Sequence, residues 1–131
     1  MNLKRTRAIC FSLLIVLLVV AENEAQTLYR VAIRQDVSVK MRDGVSLVAD
    51  VYRPILDGRS DEKFPVLLQR TPYNRAGESQ QANELAAHGY VVVVQDTRGR
   101  FDSGGEFYPF RNESADGYDT VEWAAKLDQS N

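Results

Sequence analysis

Two apolar segments of the chain end in polar residues that could take part in chemistry. Residues 64–73 read FPVLLQRTPY and residues 90–99 read YVVVVQDTRG, with one helix-length stretch between them. Such short apolar runs predict buried parallel strands, which deliver the side chains that follow them to one edge of a sheet. Tyr73 and Asp96 are therefore the first candidates. A phenolic hydroxyl can donate a hydrogen bond to a developing oxyanion, and a carboxylate can serve as a ligand, a base or a loop organiser.

Asp96 is better explained by structure than by catalysis. An aspartate at a strand exit commonly accepts hydrogen bonds from the turn that follows, and we expect Asp96 to do so around Arg98 and Gly99. Further along the loop, Asp102, Ser103 and Glu106 do not have the spacing of a twelve-residue calcium loop. Ser103 also lacks the Gly-x-Ser-x-Gly frame of a hydrolase nucleophile.

The histidine and cysteine counts exclude several kinds of site. Cys10 is the only cysteine and lies in an apolar N-terminal run, so the rest of the chain can form no internal disulfide, thiolate metal site or cysteine nucleophile. His88 is the only histidine and precedes Gly89 at the expected end of a helix, where it would contact the last carbonyls. We predict no metal and no other cofactor.

The first 25 residues are predicted to form a secretory signal peptide, which implies a secreted or periplasmic protein. Cations at residues 4–7 precede the uncharged apolar run 8–20, and Ala21 and Ala25 each offer a small residue at a cleavage point. An uncleaved membrane anchor is the alternative, but a span needs about 20 apolar residues and this run is shorter. After cleavage no stable membrane association is expected.

The net charge argues against a nucleic-acid partner. The chain has a formal charge of −2 and no clustered cations beyond the leader. Binding to nucleic acid or to anionic lipid requires concentrated positive charge. A small-molecule or peptide substrate is the better expectation, and the sequence leaves the oligomeric state open.

The patterns after the leader predict an α/β fold. Residues 37–41 and 45–52 alternate apolar and polar residues around a turn at residues 42–44, which indicates an antiparallel hairpin ended by Arg53 and Pro54. The runs 64–69 and 90–94 predict parallel strands, the first covered on both faces. Between and after these strands we predict three further segments. They are a polar loop at 57–63, a crossover helix at 78–88 capped by Gly89, and a long ordered loop at 96–112.

The last predicted element is an amphipathic helix over residues 113–127. Tyr118, Val121, Ala124 and Leu127 fall near one helical face, with Trp123 offset from it. Aromatic residues on such a helix are usually packing residues, and we assign Tyr118 and Trp123 to that role. Asp116 and Asp119 lie close to the helix start, where the helix dipole favours anions.

Several of these segments in order resemble one branch of the α/β-hydrolases, the Xaa-Pro dipeptidyl-peptidase and cocaine-esterase-like family. The similarity runs from Val37 to Asn131 and looks closest to the α-amino-acid ester hydrolases and glutaryl acylases. It rests on four motifs: VSVKMRDGVSLVADVYRP (37–54), RTPYNR (70–75), QDTRGRFDSGGEFYP (95–109) and DGYDTVEW (116–123). The resemblance implies that residues 26–131 are the N-terminal part of a hydrolase sheet, incomplete as it stands.

The resemblance also implies a role for Tyr73. In this family the tyrosine after the first central strand donates its hydroxyl to the oxyanion hole, and Tyr73 occupies that position. Pro72 restricts the backbone just before it. On the sequence alone, a tyrosine packed at the sheet edge with its hydroxyl in water is about equally good an interpretation.

The family's reaction is acyl transfer to water by a serine, aspartate and histidine, which the resemblance places beyond residue 131. We therefore expect an exported serine hydrolase of esterase, acylase or dipeptidyl-peptidase type, inactive over these 131 residues alone. A non-catalytic secreted binding module, or a truncated inactive product, is the alternative. Against a stable module, an open sheet leaves an apolar edge exposed.

Overall fold

The structure, a computed structural model, describes residues 28–55 and 62–131. The predicted leader, Cys10 and most of the predicted 57–63 loop lie outside these ranges. The elements are the strands β1 (Arg30–Lys40), β2 (Ser46–Ile55), β3 (Val66–Thr71) and β4 (Val91–Asp96), and the helices α1 (Ser79–Ala87) and α2 (Glu113–Ala124). Among the described residues, no helix is both long and apolar enough to cross a bilayer.

The predicted hairpin is confirmed. β1 and β2 pair antiparallel from Arg30 opposite Ile55 to Lys40 opposite Ser46. Gly44 makes the turn at a φ of 89°, a left-handed conformation that glycine adopts without steric cost. The prediction that the strand ends at Pro54 is wrong, since β2 continues to Ile55. Proline is tolerated there because β2 pairs with β4 only as far as Tyr52, so in the described sheet Pro54 has a partner strand on one side only.

The four strands form one mixed sheet in the order β1-β2-β4-β3. β3 and β4 are parallel, as predicted, and the connection between them contains α1. Gly89 follows α1 at a φ of 93°, as expected for a residue that ends a helix. The arrangement confirms the α/β class and the hairpin that leads into parallel strands.

β4 is the buried centre of the sheet, and its side chains alternate between two cores. Val91 and Val93 face α2, where Trp123 and Leu127 pack against them and their neighbours. Val92 and Val94 face α1. Burying both faces explains why this strand reads as an unbroken valine run.

β3 is less covered than expected. Leu67 is 36% exposed, and most other residues of the strand are half-buried. The reason is that β3 forms an edge of the described sheet, with β4 as its only neighbouring strand there. At the start of this edge, Phe64 and Ser130 form a parallel bridge, in which the Phe64 N–H donates to the Gln129 carbonyl at 2.8 Å.

The face that α2 turns to the sheet only partly matches the predicted one, since Ala124 and Leu127 do contact the core but Tyr118 and Val121 are exposed. Asp116, Thr120 and Ala124, spaced four residues apart, are its buried positions. Tyr118 is 60% exposed, so its assignment as a packing residue is wrong, whereas Trp123 does pack against the core. The polar groups of Asp116 and Thr120 can be buried because both are hydrogen-bonded. A pattern of apolar residues cannot predict such a face, because it does not include hydrogen bonds.

Candidate functional site

Tyr73 lies where the parallel strands end. β3 stops at Thr71, and the Tyr73 side chain, 82% exposed, forms part of the wall of a cavity of about 360 Å³. The cavity is lined by residues that follow β3 and β4 and by the start of α2: Arg70, Pro72, Tyr73, Thr97, Phe107, Pro109, Phe110 and Glu113. The structure therefore puts the predicted site residue at the edge where α/β enzymes bind their ligands.

Three contacts fix the backbone around Tyr73. Its N–H donates to the Thr71 hydroxyl oxygen at 3.1 Å. The preceding carbonyl, that of Pro72, accepts a hydrogen bond from Arg100 Nε at 2.9 Å. The following residue, Asn74, has a φ of 85°, and its side-chain oxygen accepts from the Ala76 N–H at 3.0 Å. A left-handed backbone conformation at a residue other than glycine costs free energy, so Asn74 keeps it only because the surrounding structure stabilises it.

The surroundings that hold this loop centre on Arg75, which sequence reasoning did not single out. Its buried guanidinium forms ion pairs with four carboxylates, those of Asp36, Asp50, Asp96 and Asp102. Asp50 and Asp96 are buried, whereas the side chains of the other two are largely exposed. We call these five residues the Arg75 cluster.

The Arg75 cluster keeps its arginine charged. Burial lowers the pKa of Arg75, but hydrogen bonds to Asp102, Asp96 and Asp50 outweigh burial, and the net effect raises the pKa above its usual value. Buried carboxylates and a buried guanidinium are tolerated only as hydrogen-bonded partners. The cluster therefore joins the hairpin, the end of β4 and the Tyr73 loop into one unit.

Asp96 has the expected structural role but a different partner. We predicted that it would accept hydrogen bonds from the turn at Arg98 and Gly99, and that prediction is wrong. Its carboxylate instead accepts the Arg75 N–H at 2.8 Å and one guanidinium N–H of the same residue. The partner is 21 residues earlier in the chain, so a local turn rule could not identify it.

The loop after β4 is anchored through Ser103. Its hydroxyl donates to the Asp96 carbonyl at 2.7 Å and accepts the Val48 N–H at 2.9 Å. Gly99 has a φ of 67°, and a Cβ there would lie 2.1 Å from the Phe107 nitrogen, so the loop folds back closely on itself. Asp102 and Ser103 are thus occupied with protein partners. The described residues contain no group of three or more His, Cys, Asp or Glu side chains that could hold a metal ion.

A second arginine ties the loop to α2. Arg98 binds Asp116 through two hydrogen bonds, Nε to Oδ2 at 2.9 Å and Nη2 to Oδ1 at 2.6 Å. Its third nitrogen lies 2.9 Å from Asp43 Oδ2 in the hairpin turn. The hydrogen bond to Asp116 raises the pKa of Arg98 most strongly, and burial opposes it. Asp116 therefore holds the loop to α2 through its hydrogen bonds with Arg98. Its position near the start of α2 also lets the helix dipole stabilise the carboxylate, as the sequence predicted.

Phe107 and Phe110 belong to the lining of the cavity, and Arg100 and Phe101 lie next to Phe107 or to each other. The Arg100 guanidinium lies 5.3 Å from the ring centroid of Phe101 and 5.1 Å from that of Phe107, distances typical of cation–π contacts. Phe110 is 92% exposed and has a φ of 65°. Exposed aromatic surface beside a cavity is typical of binding sites rather than of ordinary protein surface.

Three buried polar atoms near the cavity have no hydrogen-bond partner within the described residues: Arg70 Nη2, Gln95 Nε2 and Thr97 Oγ1. Arg70 is otherwise held by Gln95 and Glu113, and its Nη2 lies 3.9 Å from Asp116 Oδ2. Buried unpaired groups of this kind are uncommon and concentrate where function or a further contact explains them. Their position favours the end of β4 as the functional side of the sheet.

His88 is at the other end of the fold. Its ring Nδ1 lies 2.7 Å from the Glu84 carbonyl oxygen at the end of α1, the contact that its position before Gly89 predicted. His88 takes no part in the Tyr73 cavity.

Three arginines of this region were not predicted from the sequence, namely Arg75, Arg98 and Arg100. One clue was present, since each lies within a few residues of a strand end, and a charge in such a place needs a partner.

Comparisons with known proteins identify the family of the chain. Residues 43–131 match the family described as X-Pro dipeptidyl-peptidase (S15 family). The chain is 46% identical over 98 residues to the cocaine esterase of Rhodococcus sp. (strain MB1 Bresler), an alignment that covers 70% of this chain and 16% of that protein. The chain thus spans about a sixth of the length of this curated relative.

Solved structures show the same fold. A CocE/NonD family hydrolase from Staphylococcus aureus superposes with a TM-score of 0.65 at 28% identity, over 76% of this chain and 21% of that one. An α-amino acid ester hydrolase superposes with a TM-score of 0.65 at 25% identity, over 82% of this chain and 21% of that one. The described sheet corresponds to part of a larger hydrolase domain.

Proposed function

Because the chain belongs to the X-Pro dipeptidyl-peptidase (S15) family of hydrolases, we propose that it is the N-terminal part of an exported serine hydrolase that cleaves ester or amide bonds. The serine, aspartate and histidine of that reaction lie beyond residue 131 in this proposal. The named relatives include two ester hydrolases, which favours an ester as the bond cleaved.

Within this proposal Tyr73 donates its hydroxyl to the oxyanion. The observation that carries it is the position of Tyr73, exposed on the wall of the cavity at the carboxyl ends of β3 and β4. The hydroxyl has no protein partner among the described residues, so it is free to meet a substrate oxygen. A neutral donor held on a fixed loop stabilises the charge that develops in the tetrahedral intermediate.

In this proposal, a strand that follows residue 131 pairs with the edge of β3 and positions the nucleophile at the cavity. Residues 129–131 already run parallel to the start of that edge, with the Asn131 N–H donating to the Phe64 carbonyl at 3.2 Å. A strand that continued in this direction would end beside Thr71, two residues before Tyr73. Family members carry the serine on a sharp turn after such a strand.

The test begins with the reading frame after Asn131, in which the proposal requires a strand, a Gly-x-Ser-x-Gly turn, and later an aspartate and a histidine. In the complete hydrolase, we expect Tyr73→Phe to lower kcat by about 10²- to 10³-fold, the usual cost of one lost oxyanion donor. Tyr108→Phe is the matched control, since Tyr108 is also exposed nearby but does not line the cavity. Equal loss in both variants, or in neither, would remove Tyr73 from the mechanism.

The 131-residue chain alone is expected to be inactive. Without a nucleophile, an oxyanion donor has no intermediate to stabilise. Incubation with p-nitrophenyl acetate should therefore give no release of p-nitrophenol above that with the Tyr73→Phe variant. Enzymatic turnover by the short chain would contradict the placement of the triad.

Export is the remaining part of the proposal. The motivation is the cationic and apolar N-terminal sequence, with cleavage after Ala21 or Ala25. N-terminal sequencing of protein recovered outside the cytoplasm distinguishes the two positions. Recovery of the intact N-terminus in a membrane fraction would instead support the anchor.

A further inference from the structure

A second cavity of about 320 Å³ lies on the sheet face that α2 covers. Val51 and Arg53 of β2 line it, and Val51 pairs with Val93 in the middle of β4. The Tyr73 cavity, in contrast, lies beyond the carboxyl end of β4. The second cavity is lined by Arg34, Val37, Val51, Arg53, Trp123, Lys126, Leu127 and Asp128, so the two cavities share no residue.

Three cations line this second cavity. Arg34 lies opposite Val51 and Arg53 lies opposite Ala32, so the register of the hairpin puts both arginines on one face of the sheet. Lys126 follows the end of α2. Within residues 28–55 and 62–131, none of the three side chains has a hydrogen bond or an ion pair.

Among the described residues, Asp128 is the one carboxylate in the lining, against three cations. Its side chain makes no ion pair with the three cations, and its main-chain carbonyl accepts a hydrogen bond from Lys63. The C-terminal carbonyls of a helix attract cations, and Lys126 follows the end of α2 by two residues, so the helix alone can explain this lysine. That explanation does not extend to the two arginines, which project from strands.

The rest of the lining is apolar. Trp123 and Leu127 come from the α2 side and Val37 and Val51 from the sheet, and all four belong to the packed core or border it. Buried packing of this kind gives the cavity a fixed shape. A cavity of this size has room for a small organic molecule.

The geometry points to a binding site for a small organic carboxylate, whose anionic group meets Arg34, Arg53 and Lys126 while its aromatic or aliphatic body packs on Trp123. Arginine suits this task because its planar guanidinium binds a carboxylate through two parallel hydrogen bonds. The apolar wall disfavours a bare inorganic anion, which has no body to bury. The site is separate from the proposed hydrolase chemistry and does not depend on it.

The chain carries its own reporter for this site, because Trp123 is its only tryptophan. Titrating the full chain with phenylacetate should change the Trp123 fluorescence in a saturable way. Phenylacetamide, a neutral molecule of the same shape, should bind at least about tenfold more weakly, since it lacks the charge-assisted hydrogen bonds. Sodium chloride at matched ionic strength should produce no saturable change.

Variants separate this site from general surface charge. Arg53→Gln and Lys126→Gln should each weaken phenylacetate binding by about tenfold. Lys40→Gln removes the same charge from an exposed position of β1 outside the cavity and should leave binding unchanged. Lys126 is exposed beyond the helix end, so its variant tests the proposal even if the arginine variant folds poorly. Equal binding of phenylacetate and phenylacetamide, or equal affinities in the Lys126→Gln and Lys40→Gln proteins, would overturn the proposal.

Discussion

Arg75 and Asp96 are joined twice, once through the main-chain N–H of Arg75 to Asp96 Oδ1 at 2.8 Å and once through the guanidinium to Oδ2. The first contact fixes where the chain runs after Tyr73, and the second fixes the side chain that collects three further carboxylates. The loop carrying the proposed oxyanion donor is therefore held by buried charge rather than by apolar packing.

Replacing the arginine should destabilise the fold strongly. In Arg75→Met the carboxylates of Asp50 and Asp96 remain buried without their cation, and we expect a loss of about 3–5 kcal/mol in the free energy of unfolding. Urea denaturation followed by circular dichroism measures this. Lys40→Met, at an exposed position, is the control and should change little. A loss below about 1 kcal/mol in Arg75→Met would mean that the cluster contributes little net stability.

The close return of the loop at Gly99 should make this glycine irreplaceable. Gly99→Ala would force a Cβ to 2.1 Å from the Phe107 nitrogen in a left-handed conformation, and we expect at least about 1–3 kcal/mol of destabilisation. Gly77→Ala is the matched control, because that glycine has nothing within 4 Å of its added Cβ. It should be neutral or slightly stabilising, since alanine restricts the unfolded chain. Thermal melting of both variants compares them, and similar melting temperatures would contradict the close approach.

Ser103 should matter through its hydroxyl alone. Ser103→Ala removes a donor to the Asp96 carbonyl and an acceptor for the Val48 N–H. We expect about 1–3 kcal/mol of lost stability, because the buried Asp96 carbonyl and the half-buried Val48 N–H each lose the Ser103 hydroxyl as a partner. Hydrogen exchange provides a specific check, since the Val48 amide should exchange faster while amides in α1 keep their protection. Unchanged exchange at Val48 would contradict the anchoring role.

Acid should weaken the contacts that the hairpin turn makes with α2 and with the loop after β4. The hydrogen bond from Arg42 lowers the pKa of Asp119, and that from Arg98 lowers the pKa of Asp43. For each carboxyl the folded pKa is below its unfolded value of 3.8, so the stabilisation is complete above that pH and is lost as the pH falls through the folded pKa. Melting temperatures measured from neutral pH down to below pH 3.8 should fall less steeply for Asp119→Asn than for the parent chain.

Arg42, the exposed partner of Asp119, allows a further test of this acid response. Arg42 also lies 5.3 Å from the ring centroid of Tyr118. Arg42→Gln should raise the pKa of Asp119 towards its ordinary value, because the hydrogen bond that lowers it is gone. Titration of the Asp119 carboxyl by NMR measures this directly. An unchanged titration would show that Asp119 is controlled by other charges.

The fold was largely accessible from local patterns. Alternation marked the hairpin, the valine run marked β4, and Gly89 marked the end of α1, because burial period and φ requirements are properties of a few neighbouring residues. The same reasoning was only partly right on α2, where it identified Ala124 and Leu127 but not the polar buried positions. Its buried face carries Asp116 and Thr120, and a polar residue becomes acceptable in a core only when a distant partner supplies its hydrogen bonds.

The sequence by itself determined the α/β class, the family resemblance and the choice of Tyr73 as a candidate donor. Only the tertiary structure decided that Asp96 binds Arg75 rather than its own turn, that four carboxylates share that arginine, and that Arg34, Arg53 and Lys126 line one cavity. The physical reason is that strand and turn propensities act over a few residues, whereas buried charges are stabilised by groups far apart in the chain. Their pairing becomes defined when the sheet brings β1, β2 and the ends of β3 and β4 together.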